Sequence, residues 1–165
     1  MDFMNDLNTE ELKAELTTKA QEAYDNWQKL PEDNKPSLQG WAAHLLQIEA
    51  LLLASLENKN ELSFAQPTIF LKKLVVDLLV VWSIYSKKDL KSSGDMLVTP
   101  LKFFGVVDQV GQLIKYTNNF VGARCSDSEI VGATEYLIDT AYTALLEVIQ
   151  SQSKSLDFKE DAWYE

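Results

Sequence analysis

Between Pro67 and Lys88 the chain reads PTIFLKKLVVDLLVVWSIYSKK, and from Leu74 to Tyr85 only Asp77 and Ser83 interrupt the apolar residues. Its β-branched residues would suit a strand. A stretch this long without glycine or internal proline is nevertheless read as a helix, and one that sits at the centre of the fold. It is too short and too interrupted to cross a membrane, where about 20 consecutive apolar residues are needed. The pairs Lys72-Lys73 and Lys87-Lys88 then read as solvated ends rather than lipid anchors. Asp77 lies in the middle of this run, where an ionised carboxylate is costly unless it is paired, hydrogen-bonded, bound to a cation or open to a solvent groove.

A central helix needs others to cover it, and the pattern supplies them. Asn8-Thr-Glu-Glu11 offers an N-cap with a glutamate three residues later. Leu12, Leu16, Ala20, Ala23, Trp27 and Leu30 then recur at helical spacing until Pro31. From Leu38 to Glu57, Trp41, Leu45, Ile48, Leu52 and Leu56 form a stripe that Leu51 and Leu53 broaden. A fourth long helix is expected to start at Thr99-Pro100, a cap followed by proline in the first turn. Its inner stripe is Phe103, Val106, Val107, Val110, Leu113 and Ile114, with Asp108, Gln112 and Lys115 on the other side. Gly111 within it predicts close backbone packing. Ser126-Asp-Ser-Glu129 is a capping box for a fifth helix whose apolar face runs from Ile130 to Ile149, with Glu135 and Asp139 one turn apart on its flank. Lys88 to Val98 is expected as a loose connection, and the segment after Gln152 as a frayed tail or one docked through Phe158 and Trp163. The expected architecture is all-α: a five-helix bundle in one domain, built around hairpins 38–86 and 100–152.

Charge and composition remove several function classes. With 25 Asp+Glu against 15 Lys+Arg and a net charge of −10, the chain lacks the clustered cations that grip nucleic-acid backbones. Arg124 is its single arginine, so bidentate phosphate clamps are scarce. A single cysteine, Cys125, excludes an internal disulfide framework and fits a reducing cytoplasm. MDFMNDLNTEELK shows no basic segment followed by an apolar run, so no secretory signal is expected. One histidine, His44, with no second ligand at metal spacing, reads as a partly buried structural residue. No glycine-rich phosphate loop, zinc spacing or Ser/His/Asp arrangement is present.

The constellation closest to chemistry lies in KFFGVVDQVGQLIKYT and ATEYLIDTAYTALLEV. An earlier pair, GWAAHLLQIEALLLASL and FLKKLVVDLLVVWSIY, has a parallel layout in which Glu49 precedes Asp77 by nearly the interval that separates Gln112 from Asp139. That layout is consistent with an internal repeat of two helical hairpins, although residue identity between the blocks is poor.

Asp108-Gln109-Val110-Gly111-Gln112-Leu113 and Glu135-Tyr136-Leu137-Ile138-Asp139 resemble the paired motifs of the all-α nucleoside triphosphate pyrophosphohydrolases, the MazG-like family. That family carries E-E-x-x-E on one helix and E-x-x-D on the next. The resemblance covers about the last third of the chain, or most of it if the two hairpins are a tandem repeat. It implies a metal site at Asp108, Glu135 and Asp139 for Mg²⁺, substrate contacts from Gln109, Gln112 and Lys115, and assembly as a homodimer. The departures fall on the chemistry: Asp108, Gln109 and Gln112 stand where the family has glutamates, and Tyr136 stands at another acidic position. Replacing carboxylates by amides weakens a magnesium site, so pyrophosphohydrolase activity is expected to be weak or absent and no catalytic residue is assigned.

Two functions follow as expectations. One is a divergent MazG-like protein that binds a nucleotide or keeps only the scaffold. The other is an acidic, non-enzymatic inhibitor or adaptor that meets a basic protein partner.

Overall fold

The structure is a computed structural model and describes residues 8–57, 65–100, 105–119 and 126–163, with side chains described to residue 151. Six helices occur among them: α1 Thr9–Lys29, α2 Leu38–Glu57, α3 Ala65–Ser86, α4 Leu90–Ser93, α5 Val106–Asn118 and α6 Asp127–Trp163. Short 3₁₀ turns follow α1 and α4, at Glu32–Asn34 and Gly94–Met96. No strand occurs among the described residues, and no helix there is long and apolar enough to cross a membrane.

Helix α3 is central. Every residue from Leu74 to Ser83 is buried, because α1, α2, α4 and α6 all pack against it. Continuous burial on all sides explains why the run shows no polar face. Helix α5 closes the bundle by packing on both α2 and α6. One core therefore runs through the molecule, from Leu12, Leu16 and Ala20 on α1 through Leu45, Leu78 and Trp82 to Val110, Leu137 and Leu145. The two hairpins meet like against like, α3 on α6 and α2 on α5.

Local signals explain most boundaries. Asn8 adopts φ 47° and its side chain accepts from the Glu11 backbone N–H, while its amide donates to Glu11 Oε2 at 2.7 Å, which starts α1. The Ser126–Glu129 capping box forms in both directions, each backbone N–H meeting the other's side chain at 3.3 Å. Helix α3 ends on Lys87 in the left-handed region, φ 60°, with its N–H bonded to the Ser83 carbonyl at 3.0 Å.

Several expectations are corrected. The fourth long helix begins at Val106, not at Thr99-Pro100, because Gly105 takes an extended conformation (φ −58°, ψ 135°) that no helix continues through. Phe103 lies outside the described residues. Val107 is 51% exposed, since the buried stripe of α5 is Gln109, Val110, Leu113 and Thr117, and Leu51 of α2 is likewise exposed. Gly111 does not mark close packing: a methyl group there would meet nothing within 4 Å. The segment 88–98 is not a loose loop, because Asp89 caps α4 and Leu90, Ser93 and Leu97 are buried. Gly94 packs closely there: an added Cβ would come within 3.1 Å of Thr17 Oγ1 on α1. The residues after Gln152 continue α6 to Trp163, in a sequence without glycine or proline to stop it. The proposed docking of Phe158 and Trp163 lies outside the described side chains.

Candidate functional site: a recess on the α5–α6 hairpin

Helices α5 and α6 run antiparallel. One end of their contact is marked by the Tyr116 and Tyr136 rings, whose centroids lie 4.4 Å apart, and the other by Gln109 and Glu147. Between them opens a recess of about 440 Å³, lined by Pro100, Asp108, Gln109, Gln112, Tyr136, Asp139, Thr140 and Thr143. Four of the six residues singled out from sequence, Asp108, Gln109, Gln112 and Asp139, thus share one wall system. Asp108 and Gln112 reach it because they lie one turn apart on α5, beside rather than opposite the buried stripe.

The other two are placed elsewhere. Glu135 Oε1 accepts a hydrogen bond from Trp82 Nε1 of α3 at 3.1 Å, so this carboxylate satisfies an indole and is not among the lining residues. Lys115 is exposed on α5 and does not line the recess.

Behind the lining, bonded to Gln109, lies a group that the sequence reading passed over. Gln109, only 6% exposed, donates from Nε2 to Glu147 Oε2 at 2.6 Å. Burial pushes the Glu147 carboxyl up to about 6. The signal for it was available in ALLEVIQ, where a glutamate interrupts an apolar run as Asp77 interrupts LVVDLLVV. Thr140 and Thr143 were also missed; hydroxyls of this kind carry no motif, and Thr140 Oγ1 donates to the Tyr136 carbonyl at 2.9 Å.

Glu49 and Asp77, the acids of the first hairpin, are both withdrawn from solvent. Glu49 is fully buried and accepts from Thr117 Oγ1 at 2.7 Å across the α2–α5 contact. Its other oxygen, Oε1, has no hydrogen-bond partner among the described residues, and burial pushes the carboxyl up to about 7 despite the Thr117 hydrogen bond. Asp77 meets the requirement set by its apolar surroundings: His44 Nε2 lies 2.7 Å from Oδ2 and Lys73 Nζ 3.1 Å from Oδ1. Where the second hairpin exposes Asp139, the first has a neutralised aspartate.

A magnesium ion requires several oxygen ligands, preferably anionic. The recess offers Asp108 and Asp139 as exposed carboxylates and Gln109 and Gln112 as amides, while Glu147, bonded to Gln109, lies behind the lining. Among the described residues no three of His, Cys, Asp and Glu are grouped so that they could hold a metal ion. This donor set falls short of a magnesium cage. What the arrangement does offer is two carboxylates, two amides and an aromatic ring around a concave space, with no lysine or arginine among the described lining residues. Comparison with protein-family models, with curated proteins and with solved structures gives no match.

Proposed function

We propose that the chain is a non-hydrolysing binding protein that uses the α5–α6 recess to capture a positively charged side chain of a basic protein partner. The observation that carries this reading is the joint presence of Asp108 and Asp139 at a recess whose described lining holds no cation. Two carboxylates without a metal repel a polyphosphate and attract an ammonium or guanidinium group, while Tyr136 offers a ring for cation–π contact and the glutamines accept hydrogen bonds. The net charge of −10 adds a long-range attraction for the same partner.

The test is calorimetric titration with a short arginine-rich peptide. Asp108→Asn/Asp139→Asn should weaken binding by about tenfold, or about 1.4 kcal/mol. Glu10→Gln, a neutralisation at a side chain 85% exposed on α1, should leave it nearly unchanged. Equal losses would mean that overall charge, not the recess, holds the peptide.

A second reading is favoured by one observation: Asp108, Gln109, Gln112 and Asp139, the positions matched to the MazG-like motifs, line the same recess. On this reading the two hairpins are a tandem repeat, the chain forms a homodimer, and a nucleotide binds with Mg²⁺. Pyrophosphate release from a nucleotide panel with Mg²⁺ or Mn²⁺ separates the two. The first reading expects no turnover, and robust turnover abolished by Asp139→Ala would replace it with the second.

A further inference from the structure

A second recess, between α1 and α3, is lined by lysines. Its volume is about 480 Å³, and its lining comprises Lys19, Lys72, Lys73, Glu22 and Asn26 together with Ala23, Ile69 and Val76. Three lysines and one glutamate line it, a concentration of cations in a chain whose net charge is −10. Helical spacing accounts for it: Lys19, Glu22, Ala23 and Asn26 follow one face of α1, and Ile69, Lys72, Lys73 and Val76 one face of α3.

Each ammonium group has a carboxylate beside it. Lys72 Nζ lies 3.1 Å from Glu15 Oε2 and Lys19 Nζ 3.6 Å from Glu15 Oε1, so one carboxylate ties the two lysines across the helices. Lys73 Nζ lies 3.1 Å from Asp77 Oδ1, whose other oxygen is taken by His44. Neither Glu15 nor Asp77 lines the recess. Each ammonium has three donors, and these pairs leave donors over for a ligand. The floor is apolar: Val76 belongs to the core, while Ile69 is 63% exposed, a large aliphatic surface beside the cations.

We propose that this recess binds a small phosphate ester, with its phosphoryl group on Lys19, Lys72 and Lys73 and an apolar or aromatic body against Ile69 and Ala23. An exposed isoleucine beside three ammonium groups suits a ligand that is anionic at one end and apolar at the other, and suits a bare anion less well. No metal is required, because the lysines supply hydrogen-bond donors that the carboxylate-lined recess on α5–α6 lacks.

The experiment uses the full chain, free of divalent cations, with adenosine monophosphate and inorganic phosphate as probes followed by amide chemical shifts. Adenosine monophosphate should shift Ala23, Ile69 and Val76 saturably and should bind more tightly than inorganic phosphate. Lys19→Gln/Lys73→Gln should weaken it about tenfold, while Lys91→Gln, at an exposed position of α4, leaves it unchanged. Shifts absent from these three residues at millimolar probe, or centred on Gln112 and Thr140 instead, would overturn the assignment. So would equal binding of the two probes, or equal weakening by Lys91→Gln. The wild-type shift map stands independently of how well the variants fold.

Discussion

Glu49 shows how much one atom's surroundings decide. Fully buried, with one oxygen bonded to Thr117 and the other unpartnered among the described residues, it keeps its proton up to a pH of about 7. In the unfolded chain it gives up that proton near 4.5. The native state therefore binds this proton more tightly between these values, so the Glu49 contribution to stability is greatest below about 4.5 and falls as pH rises to about 7. The loss is on the order of 3 kcal/mol, at 1.36 kcal/mol for each pH unit of difference. Glu49→Gln should flatten that segment of the stability-versus-pH curve, read from denaturant midpoints, and an unchanged slope would place the proton elsewhere. From sequence Glu49 was visible only as a repeat position, because its burial depends on α5 crossing α2, which no local pattern encodes. Asp77 was more legible: an acid inside LVVDLLVV had to be paired, hydrogen-bonded, bound to a cation or open to a solvent groove, but the identity of His44, distant in the chain, came only from the packing.

At the scale of elements, helix existence was readable wherever apolar spacing and a cap agreed, as at Asn8 and Ser126. Boundaries went wrong where backbone conformation overrode a local signal. Thr99-Pro100 has the chemistry of a helix start, yet the extended Gly105 defers α5 to Val106. Gly111 shows the converse, a glycine read as a packing contact that lies on the exposed face with open space around its Cα. Gly111→Ala should therefore stabilise the protein by about 0.5–1 kcal/mol, since the helical conformation suits alanine and nothing obstructs the methyl group. A lowered melting temperature would show that some contact is made there after all. The candidate site was legible to the same degree: the glutamine and aspartate positions on α5 and α6 could be paired by motif, but the capture of Glu135 by Trp82 depends on α3 lying against α6.

At the scale of the molecule, α3 is shared by everything else, and its ten consecutive buried residues cannot be covered by one hairpin. A fragment spanning residues 95–165 keeps α5 and α6 but loses every partner of their inner faces on α2 and α3. It should show less resistance to denaturant than the whole chain or aggregate through the exposed Leu137 and Leu145 faces; equal stability as a monomer would contradict the single core. The same bundle separates charge, with carboxylates around the α5–α6 recess and lysines around the α1–α3 recess. That separation rests on which face each helix turns outward. It makes the identity of the ligand at the first recess the central question. The most direct measurement is an amide chemical-shift map of the full chain during titration with an arginine-rich peptide, repeated with magnesium-loaded nucleotide. Saturable shifts at Gln109, Gln112, Tyr136 and Thr140 with the peptide, and none there with the nucleotide, are predicted. Peptide shifts scattered over the acidic surface, or nucleotide shifts centred on those four residues, would contradict the assignment of this recess to a cationic partner.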